Sequence, residues 1–272
     1  MGLPTEKLVV ATNENDILHR FWQTGWYEKQ PVHGKEAEGG FAADGVKAHE
    51  DGVKETLSPA MDILVSSNFE RLLWHLAYET STVDETNRRR MEAGEKVKGW
   101  LTQLKSDGGF SVNEEVLQAA KLQFESQRVS NKETIDTIRD TYSWSLPSSK
   151  GHMTNGTSSN GVSASPTTGT LHNGHYILDP HTAIGVNAAL RSAQSNSSSH
   201  HIALATAHPA KFSHAVELAL KDVPDFTFQS VLPEQFVGME DLPTRMTDSK
   251  ADWRAVRDIV IEEVEAEMKG IR

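Results

Sequence analysis

Cysteine is absent from the 272-residue sequence. Its absence excludes structural disulfides, iron–sulfur clusters, thiolate zinc sites and thiol catalysis. Long apolar runs are missing too: none reaches the roughly 18–20 residues that a membrane-spanning helix needs. The first residues, Met1-Gly2-Leu3-Pro4-Thr5-Glu6-Lys7, carry no signal-peptide core. Glu6 also stands where N-myristoylation requires Ser or Thr. Asn155-Gly156-Thr157 is a formal glycosylation sequon, silent in a chain that is not secreted. Positive charge is scarce, with 27 Lys and Arg against 38 Asp and Glu and a net charge of −11. Such a balance repels phosphate backbones and argues against a nucleic-acid partner. The one dense basic run, Arg88-Arg89-Arg90, lies beside Asp84, Glu85 and Glu92 and reads as a solvated helix face. The expectation is a cytoplasmic chain with no membrane or nucleic-acid partner, forming one large domain or two smaller ones. No oligomeric state follows from it.

Several catalytic signatures are also missing. The G-x-S-x-G nucleophile turn, the G-x-x-x-x-G-K-[ST] phosphate loop and the G-x-G-x-x-G dinucleotide fingerprint do not occur. Histidine is abundant in the second half, as His172, His175, His181, His200, His201, His208 and His214. The H-E-x-x-H spacing that would place two imidazoles on one helix face is absent, and neighbours such as His200 and His201 point opposite ways on an extended chain. No metal site is expected.

What is present is an α/β pattern rich in helices. Lys7-Leu8-Val9-Val10-Ala11-Thr12 reads as a strand buried on both faces, the mark of a parallel sheet. Asn13 to Asp16 then turn into a helix through Ile17, Leu18, Phe21 and Trp22. The spacing of Phe69, Leu72, Leu73, Leu76 and Ala77 predicts a helix capped by Ser66 or Ser67. Three more helices are predicted near 86–105, 113–126 and 131–142, with Ser111, Asn113, Ser130 and Asn131 as candidate caps for the last two. Ile202 to Thr206 reads as a short buried strand. Trp253, Val256, Val260, Val264 and Met268, spaced 3, 4, 4 and 4 residues apart, form an amphipathic stripe expected to face a core. The expected organisation is a sheet-bearing segment at 1–29, an inserted loop at 30–56 and a helix-rich region at 57–145. A disordered Ser/Thr/Gly-rich insertion at 146–174 and a C-terminal region at 175–272 complete it.

Three polar turns stand on apolar edges. They are Ala11-Thr12-Asn13-Glu14-Asn15-Asp16, Ser58-Pro59-Ala60-Met61-Asp62, and Asp179-Pro180-His181-Thr182-Ala183 together with Thr206-Ala207-His208-Pro209-Ala210-Lys211-Phe212. Open α/β sheets bind ligands at such strand ends. Helix capping and turn chemistry account for the same residue types, and both explanations stand at this point.

The three turns, with Leu57-Ser58-Pro59-Ala60-Met61-Asp62-Ile63 and Ser67-Asn68-Phe69-Glu70-Arg71, resemble threonine synthases of the fungal type in the same order. The resemblance runs from about Gly2 to the C-terminus. It implies the tryptophan-synthase-β-like, fold type II architecture and pyridoxal 5′-phosphate as cofactor. It also implies conversion of O-phospho-L-homoserine and water to L-threonine and phosphate. By that pattern Thr206 hydrogen-bonds the cofactor's pyridine nitrogen. Thr12, Asn13, Asn15, Asp16, Met61, Asp62, His181, Thr182, His208 and Lys211 are candidate cleft residues.

The family's Gly-Asn-Phe-Gly-Asp phosphate loop and Schiff-base lysine are not found. Ser67-Asn68-Phe69-Glu70 lacks both glycines, and Lys211 lies in a different motif. The expectation is therefore a C-terminal portion of a threonine synthase, inactive alone, with aggregation-prone strand edges at Leu8–Ala11 and Ile202–Ala205. A non-catalytic relative serving as a binding or scaffold protein is the alternative, and a histidine metalloenzyme is a third reading.

Overall fold

The computed structural model describes residues 4–29, 52–144, 171–172, 175–224, 226–244 and 246–270. The chain divides into two compact units, Met1–Pro233 and Glu234–Arg272.

In the first unit, β1 (Leu8–Thr12) feeds α1 (Ile17–Thr24), which ends at Gly25 in the left-handed conformation (φ 78°). The Gly25 N–H closes the helix on the Phe21 carbonyl at 2.8 Å, a geometry that suits glycine. The chain then enters β2 (Trp26–Glu28) and, after the turn at Pro59–Met61, α2 (Phe69–Glu79) and the long α3 (Thr86–Ser106). β3 (Gly109–Ser111) runs antiparallel to β2. A Cβ at Gly109 would lie 2.7 Å from the Glu28 Cβ, so the pair requires glycine there. α4 (Glu114–Gln123) leads into β4 (Phe124–Arg128), which pairs in parallel with β1 from Leu8↔Phe124 to Thr12↔Arg128. α5 (Asn131–Ser143), the short pair β5 (Leu171–His172) and β6 (His175–Tyr176), α6 (Pro180–Ser195) and α7 (Ser213–Leu220) complete the unit.

Two apolar cores support these elements. In the first, Phe21, Trp22, Tyr27, Phe69 and Phe110 pack edge to face, stacked or tilted, with Leu73, Leu76 and Val116 fully buried around them. In the second, Ile138 of α5, Ala183 of α6 and Val216, Ala219 and Leu220 of α7 close on Ile177 and Leu178. The polar turns lie between the end of β1 and the start of α6, on a base fixed by both cores.

The helices near 86–105 and 131–142 are in place. Ser130 caps α5 in a reciprocal capping box with Glu133, and Asn113 caps α4. Several expectations are corrected. α2 begins after Asn68, and neither Ser66 nor Ser67 caps it with a side chain. The helix expected to 126 stops at Gln123, and Phe124–Arg128 is a strand, because its backbone finds the open edge of β1. β1 itself is buried only at Thr12, since β4 is its sole strand partner among the described residues. Ile202 to Thr206 is not a strand. Without a paired strand among the described residues to shield it, Ile202 is 83 % and Leu204 77 % exposed.

Most of the insertion expected at 146–174 and of the loop at 30–56 lies outside the described residues. Leu171-His172, expected within the disordered stretch, instead pairs with His175-Tyr176. In the second unit, α8 (Trp253–Met268) follows short helical turns at Glu234–Phe236 and Met239–Asp241. Its stripe is exposed rather than core-facing, because among the described residues of this unit no second α-helix covers it. Trp253 is covered in part by the Arg254 and Arg257 guanidinium groups, 4.6 and 5.6 Å from its ring. No described helix is long and apolar enough to cross a membrane.

Candidate functional site

The turn after β1 is a buried polar network. Asn13 Nδ2 lies within hydrogen-bond reach of Thr56 Oγ1 (2.9 Å), Ser58 Oγ (2.9 Å) and Asp62 Oδ1 (2.8 Å). Asn15 Nδ2 donates to Asp62 Oδ1 at 3.0 Å and to the Lys54 carbonyl at 2.9 Å, while the Lys54 N–H returns to Asn15 Oδ1 at 2.8 Å. Asp62 also accepts the Thr56 N–H and hydroxyl at 2.8 and 2.6 Å. The two asparagines thus bind residues 54–62 to the end of the sheet.

Behind them, Asp16 pairs with Arg20 (3.0 Å) and Arg128 (3.6 Å), and Arg128 pairs with Glu14. Arg20 also reaches Glu28 at 3.7 Å. Thr12 is buried, with its hydroxyl 3.5 Å from the Gln127 carbonyl of β4. Burial pulls the Lys54 ammonium below its ordinary value, an effect partly offset by Asp16.

The start of α6 is organised differently. Asp179, 1 % exposed, accepts the backbone N–H groups of His181 (2.9 Å) and Thr182 (3.3 Å), together with the Thr182 hydroxyl. His181 Nδ1 lies 3.1 Å from Asp179 Oδ1, and its Nε2 accepts the Ala60 N–H at 3.2 Å. Accepting at Nε2 places the proton of the neutral ring on Nδ1, facing the carboxylate. Burial alone would raise the Asp179 pKa, but the bonds from His181 and Thr182 outweigh it and hold the carboxyl below its ordinary value.

Thr182 Oγ1 in turn accepts the Thr206 N–H at 3.1 Å. The Thr206 side chain is exposed, and its hydroxyl makes no hydrogen bond among the described residues. His208 is half-buried, its Nδ1 accepting the Ala210 N–H at 3.1 Å. Burial lowers its pKa, a shift opposed by Asp179 and reinforced by Lys211. Phe212 packs its ring 4.5 Å from that of His181.

The candidates therefore fall into two sets that meet on one loop. Asn13, Asn15 and Asp62 hold residues 54–62 from the sheet side, and His181 holds Ala60 from the α6 side. Met61 is half-buried in that turn and Lys211 is exposed at the end of Pro209–Lys211; neither side chain joins the network. Sequence reasoning missed Lys54, Thr56 and Arg128, which had no motif to mark them. A cleft of about 290 Å³ lies elsewhere, lined by His19, Gln127, Arg128, Ser130, Glu133 and Arg191. None of the candidates opens into it, and its arginines are already paired with Glu14 and Glu133. Among the described residues, no group of three or more His, Asp or Glu side chains is placed to hold a metal.

For pyridoxal phosphate, the residues fit at one end. The Thr206 hydroxyl is open and its backbone is fixed, as a partner for a ring nitrogen requires. A phosphate group would need unengaged N–H donors, and those at the starts of α5 and α6 already meet Glu14, Ser130 and Asp179.

Structural comparison gives the chain the fold type II architecture of the threonine synthases. It aligns with the yeast threonine synthase crystal structure at a TM-score of 0.70 and 38 % identity, over 97 % of this chain and 43 % of that one. The PLP-bound threonine synthase of Brucella melitensis aligns at a TM-score of 0.59 and 31 % identity, over 96 % and 41 %. Residues 182–260 match the family model described as threonine synthase, C-terminal. The threonine synthase of Schizosaccharomyces pombe is 43 % identical over 89 % of this chain and 39 % of its own length. That of Saccharomyces cerevisiae is 40 % identical over 99 % and 43 %. The chain belongs to the threonine synthase family, and it spans about two fifths of the length of the curated relatives it matches.

Proposed function

We propose that this chain forms part of a pyridoxal-phosphate-dependent threonine synthase, which converts O-phospho-L-homoserine and water to L-threonine and phosphate. The observation that carries the reading is Thr206, an open hydroxyl on a backbone held by the buried Thr182. The cofactor, when bound, supplies an electron sink. The Thr206 hydroxyl would donate a hydrogen bond to an unprotonated ring nitrogen, whereas a carboxylate there would hold that nitrogen protonated. We assign the loop 54–62, which Asn13 and Asn15 hold from the sheet side, to the wall of the substrate cleft, with Met61 as a candidate substrate-side residue. His208 and Lys211 border the opening. We assign no lysine of this chain to covalent attachment of the cofactor. The reading carries with it a cytoplasmic location and a small-molecule substrate, with no nucleic-acid or membrane partner.

A chimera tests the proposal. The aligned portion of the Saccharomyces cerevisiae threonine synthase is replaced by this chain, and phosphate and threonine are followed with O-phospho-L-homoserine and PLP. Equimolar threonine and phosphate are expected. The 272-residue chain alone, treated with PLP and borohydride, is expected to give no stoichiometric pyridoxyl-lysine and no threonine. A folded chimera with no activity would overturn the catalytic reading in favour of a non-catalytic binding relative.

A further inference from the structure

We propose that Asp179, His181 and Thr182 are positioning residues, a bracket that sets the Thr206 backbone and the Ala60 turn in fixed register about the start of α6. The geometry is directional. The Thr182 hydroxyl gives its proton to Asp179 Oδ2, which leaves a lone pair to receive the Thr206 N–H at 3.1 Å. The His181 ring faces Asp179 with Nδ1, which leaves Nε2 to receive the Ala60 N–H at 3.2 Å. One carboxylate thus fixes the polarity of two relays, and each relay ends on a backbone N–H in a different loop.

The base of the bracket is rigid. Asp179 and Thr182 are 1 % and 4 % exposed, and the His181 side chain is 7 % exposed. Ala183 anchors the same turn in the second core, and Ile184 beside it is also buried. Phe212 packs on the His181 ring and closes the 206–212 turn against the helix. Groups this enclosed are poorly placed to touch a substrate and well placed to hold main chain that does. The functional consequence, a fixed Thr206 hydroxyl, rests on the reading of Thr206 given above; the bracket itself does not.

Amide hydrogen exchange on the ligand-free full chain tests the bracket. Thr182→Val is expected to speed exchange at Thr206 roughly tenfold, the size of one buried hydrogen bond, and to leave Ala60 unchanged. His181→Phe does the reverse, and Asp179→Asn loosens both. Thr182→Ser restores protection at Thr206, and Ile138 in α5 serves as the stability control. The proposal is overturned if Thr182→Val leaves Thr206 unchanged, if Ile138 loosens equally, or if Thr182→Ser behaves as Thr182→Val. Titration of the chimera described above with PLP, read by cofactor absorbance with Thr206 intact and with Thr206→Val, separates the two ideas. An amide pattern as expected with no effect of Thr206→Val on the cofactor keeps the bracket and removes the ring-nitrogen role.

Discussion

The turn after β1 and the turn at the start of α6 are built from the same residue types, yet they finish differently. In the first, Asn13 and Asn15 are 2 % and 7 % exposed, and their amides end on Asp62, Thr56, Ser58 and Lys54. In the second, a carboxylate as deeply buried ends, through Thr182, on the backbone of a residue whose own hydroxyl stays open. A polar turn whose asparagine amides end on neighbouring loop residues shapes the protein's own main chain. One that clamps main chain and leaves a hydroxyl outside can meet a ligand. Residue type does not separate the two cases; where each hydrogen bond ends does.

Substitutions can break that contrast, and the largest effect is expected beneath the first turn. Arg20→Met leaves Asp16 and Glu28, both buried, without their shared guanidinium, and should cost about 3–5 kcal/mol in denaturant titration. Asn13→Ala strands the groups that Nδ2 now satisfies and should cost about 2 kcal/mol by the same measurement. Thr206→Val sits at the other extreme. Its exposed side chain has no hydrogen-bond partner among the described residues, so stability should stay within about 0.5 kcal/mol. A cost for Thr206→Val matching that of Asn13→Ala would abolish the distinction.

Acidity sharpens it. Asp179 is held below its unfolded value of roughly 3.9, so its contribution is fully present above that value and is lost as pH falls through the lower folded value. The stability curve of Asp179→Asn should therefore run below wild type above about pH 5 and converge on it in strong acid. His208 is also lowered, so the unfolded chain binds the extra proton and stability declines as pH drops below about 6.5. His208→Asn should flatten that limb, which is the smallest of these effects.

Local signals carried most of the helices. Ser130 stood among the candidate caps of α5, and the spacing of Phe69, Leu72, Leu73, Leu76 and Ala77 announced the packed face of α2. Long-range pairing was not readable. Phe124-Glu125-Ser126-Gln127-Arg128 has little strand character and becomes β4 only because β1, more than a hundred residues earlier, offers it an edge. Ile202–Ala205 and the α8 stripe show the converse: apolar patterning predicts burial only where a partner element exists to cover it. The polar turns were legible as a set. Their division into an asparagine network and a bracket was not, because it depends on Lys54 and Thr56, to which no pattern pointed, and on which side chain meets the Ala60 N–H.

The most direct test of the account is the kcat of the chimeric threonine synthase with Thr206 replaced by Val. The account predicts a fall of roughly a hundredfold or more, the scale seen when one preorganised hydrogen bond to a reacting group is removed, with KM for O-phospho-L-homoserine little changed. A kcat equal to that of the parent chimera would contradict it.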